Sequence, residues 1–202
     1  MLHMFFLKRI NFFWILLIVL LVLPSLYAVF HSGFFVSDDG DWMIIRFSAF
    51  YQTFADGQFP VRYLERLNFN YGYPVANFLY PGFLYLGVPF RIIGFDSVQV
   101  VKILMSLFML GGAVGIFFWL RKFFNSYSAL IGSVVYTYSP YHLFNLYKRG
   151  SVGELMGLSI FPFVLWMIER KSIFFVALGI FLVLLSHNTL ALLFILFVLL
   201  YS

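Results

Sequence analysis

Long apolar segments are the feature of this chain that most constrains its fold. A helix needs about 20 residues to cross a bilayer, and five segments reach or approach that length. They cover residues 10–30, 98–120, 126–140, 155–169 and 172–186, and a sixth begins near residue 189. Only 10% of the 202 residues are charged, whereas soluble domains carry about 25%. The sequence therefore predicts an all-α, polytopic transmembrane protein in a lipid bilayer.

Both ends of the chain are apolar. The first apolar segment follows Lys8 and Arg9, and it is longer than the roughly 7–15 apolar residues of a signal peptide, so we expect a retained span. The chain stops inside another apolar run, at residues 190–200. We expect residues 1–202 to form a single transmembrane domain that is the N-terminal part of a longer protein.

Several classes of function are disfavoured by what the chain lacks. It has no cysteine, which excludes disulfides, zinc thiolate sites and cysteine nucleophiles. The net charge of +5 comes largely from short basic doublets beside apolar runs, a pattern typical of membrane topology signals rather than of a nucleic-acid interface. Glycine-rich nucleotide loops and the HExxH and GxSxG motifs are absent. We therefore expect no nucleic-acid partner.

The stretch 74–93 decides the topology. It is apolar but contains three prolines and two glycines, which argues against a straight lipid-facing helix. If it does not cross, three basic doublets fall on one side, and the positive-inside rule makes that side cytoplasmic. These doublets are Lys8-Arg9, Arg121-Lys122 and Arg170-Lys171. We predict that 74–93 is a horizontal or re-entrant element and that the N-terminus is cytoplasmic.

Residues 31–97 then form the first outer loop, which we expect to contain two interfacial helices, at about 41–56 and 74–93. Asp39 or Asp41 can cap the first of these helices. Polar side chains recur on it every four residues, at Ser48, Gln52 and Asp56. A helix with one polar stripe on an apolar surface lies in the interface plane rather than across the bilayer.

The same topology puts three polar constellations on the non-cytoplasmic face. They are the acidic cluster at 38–41, the turn at 147–154 and the segment 186–188. A shared active site becomes possible. Acidic residues at the edge of a membrane are costly unless they have a function. For Asp38, Asp39 and Asp41 the options are a general base, a divalent cation held by Asp38 and Asp39, or a helix cap.

The two other constellations offer candidates for substrate binding. Lys148 and Arg149 can hold a lipid phosphate or can snorkel to the headgroups, and Glu154 can pair with either cation. His187 and Asn188 end an apolar run, where they are either binding residues or interfacial hydrogen-bonding groups. The segment 68–74 alternates amides with aromatic rings, which suits sugar binding or an ordinary aromatic belt.

An ordered set of motifs runs through the outer loop. An acid near the first outer helix is followed by an arginine, then by Gly-x-Phe-Pro-x-Arg and Gly-Tyr-Pro motifs with aromatic neighbours. These are Asp39, Arg46, Gly57 to Arg62, and Tyr71 to Pro74 with Asn77-Phe78 and Tyr80-Pro81. In this order they resemble the GT-C superfamily of membrane glycosyltransferases, and within it the bacterial and archaeal membrane proteins called 6-pyruvoyl-tetrahydropterin synthase-related. The resemblance covers about residues 1–190.

This resemblance implies a GT-C-like N-terminal half and a polyprenyl-phosphate-linked sugar as donor. Asp39 would deprotonate the acceptor hydroxyl, with Asp41 as the alternative. Lys148 or Arg149 would hold the lipid phosphate, which leaves and needs charge compensation. Arg46 and Arg62, the arginines of the motifs, are further expected substrate-binding residues. The site would face outward from a prokaryotic cell membrane, and the acceptor is a glycan, lipid or protein.

A non-enzymatic membrane protein is the alternative. It would be a transporter or flippase for lipid-linked sugars, or an assembly scaffold. A transporter carries polar residues deep within several spans. In this chain such residues gather at the ends of the spans, which favours interfacial chemistry.

Overall fold

The computed structural model describes residues 2–201, with side chains described from residue 12 onward. Its regular elements are all helical, and the described residues form no strand, only an isolated bridge between Leu64 and Tyr73. The α-helices are α1 Leu2–Val22, α2 Gly40–Ala55, α3 Gly82–Ile92, α4 Ser97–Leu120, α5 Ser126–Thr137, α6 Pro140–Leu143, α7 Val152–Glu169, α8 Ile173–Leu184 and α9 Asn188–Tyr201. Short 3₁₀ helices cover Leu23–Phe30 and Val75–Asn77, and a π-helix covers Phe144–Arg149. The side chains of Lys8 and Arg9 lie outside the described part.

Three helical stretches are long and apolar enough to cross a membrane, as expected of a membrane protein. They are Phe12–Phe30, Ser97–Leu120 and Val152–Glu169. The first of them changes from α to 3₁₀ geometry at Leu23, where Pro24 lacks the backbone N–H that an α-helix needs.

The other predicted spans form shorter helices. α5 and α8 have 12 residues each and α9 has 14. At 1.5 Å per residue, 12 residues cover about 18 Å, less than the roughly 30 Å of a hydrocarbon core. That these segments cross the membrane stays a prediction.

Glycines bring α4 and α7 into close contact at the centre of the bundle. A Cβ at Gly111 would lie 2.5 Å from Ser159 Oγ, and one at Gly115 would lie 2.9 Å from the Phe163 ring. Small residues spaced by four allow such close approach between membrane helices. Since the contacts advance together along both helices, α4 and α7 run parallel, and their first residues lie at the same end of the bundle.

α1 runs antiparallel to α4. The Trp14 ring packs on Phe117 and Tyr127, whereas at the opposite end Lys102 Nζ donates to Gly33 O at 3.0 Å. The bundle therefore has two distinct ends. We call one the basic end (Arg121, Lys122, Arg170 and Lys171) and the other the mixed-charge end (residues 31–42, 148–154 and 185–188).

α2 occupies Gly40–Ala55, where a helix was expected at about 41–56. We expected the side chain of Asp39 or Asp41 to cap this helix, and for Asp39 that expectation is wrong. Asp39 stands at the N-cap position, but its side chain makes no capping hydrogen bond. Instead Gly40 N donates to Ser37 Oγ at 3.2 Å. The Asp39 carboxylate is therefore not used to start the helix.

The stretch 74–93 is not one helix. It divides into the 3₁₀ turn Val75–Asn77 and α3, which begins only at Gly82. Pro81 separates the two, because proline lacks an N–H and disfavours helical geometry at the residue before it. The 11 residues of α3 cover about 16 Å, too short to cross alone. The interfacial position of α2 and α3 stays a prediction.

The polar stripe of α2 is covered by Arg66, a residue that sequence reasoning did not single out. Arg66 Nη1 donates to Gln52 Oε1 at 2.7 Å, and Nη2 donates to Asp56 Oδ2 at 3.2 Å. The stripe therefore anchors the connection between α2 and α3 and does not face only solvent.

Candidate functional site

Backbone hydrogen bonds join the acidic segment to the turn before α7. Asp38 N donates to Lys148 O at 2.8 Å, and Asp39 N donates to Arg149 O at 2.7 Å. Gly150 continues the turn with a φ of 68°, and a Cβ there would lie 2.8 Å from Gly40 N. A larger residue at 150 would be both strained and in collision. Glycine allows these two segments to meet.

The charged side chains of the two segments are paired. Lys148 Nζ lies 2.9 Å from Asp38 Oδ1, with both side chains more than half exposed. Arg149 Nη2 lies 3.9 Å from Asp39 Oδ2, and Nη1 donates to Glu154. Arg149 therefore stands between an accessible carboxylate and a buried one.

Glu154 is the buried centre of this arrangement. Its side chain is 3% exposed, and an ionised carboxylate at such a position requires partners. Besides the Arg149 guanidinium, it accepts a hydrogen bond from Tyr141 Oη at 2.8 Å, and His187 Nε2 lies 3.6 Å away. Glu154 links the turn to α6 and to the start of α9.

The third predicted constellation reaches the same place through His187. The His187 ring lies 4.7 Å from the Tyr80 ring, and Gly82 N donates to Leu185 O at 2.9 Å. Burial lowers the pKa of His187, and the charge of Glu154 partly offsets this effect. The imidazole is therefore neutral at pH 7. The acidic cluster, the 147–154 turn and the 186–188 segment do converge at the mixed-charge end.

Tyr80 lies near charged groups of the acidic segment and of the 147–154 turn, and its ring contacts His187. Burial is the largest cause that raises the pKa of its hydroxyl; Glu154 raises it further and Arg46 lowers it. Asp39 and Arg149 also act on the hydroxyl. Tyr80 thus stays protonated at neutral pH.

Arg46 differs from the other cations of the cluster. It lies on α2, two turns after Asp39, and is half-buried. Among the described residues, no carboxylate lies within ion-pair distance of its guanidinium. Arg46 also lines a cavity of about 460 Å³ between α2 and the 67–73 loop. It is a cation available to a ligand.

Three predicted site residues stand apart from the cluster. Asp41 is exposed in the first turn of α2 and makes no ion pair with the described side chains. Arg62 is exposed, and its backbone N donates to Gln58 Oε1 at 2.7 Å. Asn188 is exposed and donates through Nδ2 to Phe78 O at 3.5 Å, so it contacts the outer loop rather than Glu154.

The option of a divalent cation gains no geometric support. In the part of the chain that the structure describes, no three His, Asp or Glu side chains converge to hold a metal ion. Asp38 and Asp39 each face a cation, Lys148 and Arg149 respectively. The arrangement suits proton transfer and binding of an anion beside a carboxylate.

Sequence reasoning missed two of the tyrosines that complete the site. Tyr141 follows Pro140 in an apolar context, and no local pattern marks it as a partner of Glu154. Tyr80 belongs to the Tyr80-Pro81 motif of the outer loop, but that motif did not indicate what the tyrosine contacts. Both become visible only through contacts between distant segments.

No family model, curated protein or solved structure gives a significant match to this chain.

Proposed function

We propose that the protein is a membrane glycosyltransferase that moves a sugar from a polyprenyl-phosphate carrier to an acceptor on the non-cytoplasmic face of a prokaryotic membrane. The observation that supports it most is the carboxylate of Asp39. This group is partly exposed, is not used as a helix cap, and lies beside Arg149 at the end of a bundle with three helices able to cross a membrane.

In the proposed reaction Asp39 takes the proton of the acceptor hydroxyl. The acceptor oxygen then attacks the anomeric carbon of the donor sugar, and the bond from that carbon to the phosphate oxygen breaks. The phosphate leaves with the electron pair, so its charge must be stabilised by cations. A single displacement of this kind inverts the anomeric configuration.

Asp39 suits the role of base better than its two neighbours. Asp38 Oδ1 lies 2.9 Å from Lys148 Nζ, a closer pairing than the 3.9 Å between Asp39 Oδ2 and Arg149 Nη2. Asp41 is exposed on the first turn of α2. The Asp39 carboxylate is partly exposed and is not used as a helix cap.

Arg149 suits the role of phosphate ligand better than Lys148 does. Lys148 Nζ is occupied by Asp38. Arg149 is oriented by the buried carboxylate of Glu154. Guanidinium groups bind phosphate through two parallel hydrogen bonds, which adds orientation to charge.

A transporter is supported less well. The charged residues of the three long helices lie near their ends: Lys102 in the second turn of α4, Glu154 in the first turn of α7 and Glu169 at its last residue. No charged side chain in the described part stands at the middle of these helices, where a transport path would need one.

The test is sugar transfer by membranes containing Asp39→Asn, with Asp38→Asn as the matched control. Radiolabelled polyprenyl-phosphate sugars are supplied, and the labelled product is separated from the lipid donor. Loss of a general base lowers the rate by about 10²–10⁴-fold, so Asp39→Asn should fall by that much and Asp38→Asn by far less. Equal activity of Asp39→Asn and the unchanged protein would falsify the role of Asp39.

A further inference from the structure

The cavity beside Arg46 has the size and lining of a small-ligand site. Its volume is about 460 Å³, within the roughly 300–1,000 Å³ of small-molecule pockets. It is lined by Trp42, Ile45, Arg46, Leu67, Asn68, Phe69 and Tyr73. Such sites combine apolar and aromatic walls with a few polar groups that fix orientation. Here the polar groups are one guanidinium and one amide, and no acid lines the cavity.

The aromatic walls are unusually accessible. Phe69 is 92% exposed, Trp42 57% and Tyr73 49%. Rings that line a concave surface and keep their faces open can stack on the apolar C–H face of a sugar ring. The Asn68 amide and the Arg46 guanidinium can hydrogen-bond hydroxyl groups at its edge.

The 67–73 loop holds its rings in place by a conformation that few residues adopt. Asn68, Phe69 and Asn70 have φ angles of 54°, 56° and 67° in succession. Asparagine tolerates this left-handed region, but phenylalanine does so at a cost. Strained backbone of this kind is concentrated at ligand sites.

Hydrogen bonds fix this loop from both sides. Leu64 and Tyr73 exchange two backbone hydrogen bonds of 3.0 and 3.1 Å, and Gly72 N donates to Leu67 O at 3.0 Å. Tyr63 Oη donates to Tyr71 O at 2.6 Å. The loop is thus preorganised, which lowers the cost of binding a ligand.

Two residues that line the cavity, Trp42 and Arg46, lie on the same side of α2 as Asp39, the proposed base. Asp39, Trp42 and Arg46 are separated by three and four residues, so they lie along one side at the start of α2. Three residues of helix span about 4.5 Å. A sugar stacked on Trp42 would therefore bring its hydroxyl groups within about one turn of Asp39.

We infer that the cavity between α2 and the 67–73 loop is an acceptor subsite for a carbohydrate, bound by stacking on Trp42 and Phe69 and by hydrogen bonds to Asn68 and Arg46. This inference rests on the proposed glycosyl transfer, for which it names the class of acceptor. An aromatic belt at the membrane surface is the competing assignment, but a belt needs neither the cavity nor the left-handed loop.

Binding of soluble sugars tests the subsite without requiring catalysis. The protein in phospholipid nanodiscs is mixed with maltotriose, cellotriose, mannotriose and chitotriose, and saturation-transfer NMR reports contact between protein rings and sugar C–H protons. At least one sugar should bind. Phe69→Gly and Asn68→Gly should weaken it by about tenfold or more. Glycine tolerates the positive φ at both positions, so the loop keeps its shape.

Tyr71→Ala is the matched control in the same loop. Tyr71 is 81% exposed and does not line the cavity, and alanine keeps its backbone hydrogen bonds. Sugar binding should be unchanged. The inference is overturned if none of the four sugars binds, if Tyr71→Ala weakens binding as much as Phe69→Gly, or if Phe69→Gly and Asn68→Gly bind the sugars as well as the unchanged protein does.

The Asp39→Asn variant separates this inference from the proposed function. It should bind the sugar normally and fail to transfer to it. If the unchanged protein transfers sugar but binds none in the cavity, the acceptor subsite is contradicted and the proposed glycosyl transfer is not. If the unchanged protein binds sugar but transfers none, the proposed glycosyl transfer is contradicted and the cavity is a carbohydrate-binding site without that activity.

Discussion

At the basic end of the bundle, two pairs of cations stand near a single carboxylate, Glu169, and the described side chains there form no ion pair. Arg170 instead lies over the Trp166 ring at 5.3 Å. At the mixed-charge end, Lys148 and Arg149 are tied to three carboxylates, one of them buried. Unpaired surface cations suit a membrane topology signal. Charges paired around a buried carboxylate suit a binding or catalytic site.

If the basic end is cytoplasmic and the mixed-charge end is not, the two ends lie on opposite sides of a membrane, and cysteine labelling tests this. The chain has no cysteine, so single cysteines can be labelled without background. Val36 is 100% exposed at the mixed-charge end, and Ile173 is 85% exposed beside Lys171 at the basic end. In intact cells a membrane-impermeant maleimide should label Val36→Cys and should reach Ile173→Cys only after permeabilisation. Labelling of both from one side would contradict the proposed orientation.

A smaller but more local contrast comes from removing one carboxylate at each end. Glu154→Gln leaves Arg149 without its buried partner, and loss of one member of a buried pair costs about 3–5 kcal/mol. Because Arg149 is 35% exposed, water offsets part of this loss, and we expect the free energy of unfolding to fall by about 3 kcal/mol.

Glu169→Gln is the control for that measurement. Glu169 is half-buried and accepts a hydrogen bond from Tyr201 Oη, which glutamine can also accept. The change should stay within about 0.5 kcal/mol, as for most surface substitutions. Thermal unfolding in detergent compares the two variants. A larger effect for Glu169→Gln would mean that the Arg149–Glu154 pair does not contribute more to stability than the carboxylate at the basic end.

The sequence predicts the helices better than it predicts the contacts between residues that are distant in the chain. The long apolar runs give α1, α4 and α7 because hydrophobic length is a local property, and the helix at 41–56 was expected within about a residue of α2. The predicted topology alone led us to expect the three polar segments on the same side of the molecule. That Gly40 N would donate to Ser37 Oγ, with no capping bond to the Asp39 carboxylate, was not predictable, because serine and aspartate are both good capping residues. The role of Tyr141 depends on a contact with Glu154, thirteen residues later, through a turn of unusual geometry.

Acid should act near the mixed-charge end first, because His142 is buried on the short helix α6, next to Tyr141, which contacts Glu154. Burial lowers the pKa of His142 to about 4, while an unfolded chain has a histidine pKa of about 6.5. The unfolded state therefore binds the proton more readily between pH 6.5 and 4. Stability is complete above pH 6.5 and falls as the pH drops through that window.

The loss on going from pH 7 to pH 5 should be about 2 kcal/mol for this histidine. His187, whose pKa is also lowered by burial, adds to it in the same direction. Unfolding measured at both pH values should show that His142→Gln removes most of the difference. Ser139 Oγ lies 2.8 Å from His142 Nδ1, and a glutamine amide can replace that bond without taking up a proton. If His142→Gln loses as much stability on acidification as the unchanged protein, the acid sensitivity arises from other groups, and the contrast between the two ends does not extend to pH.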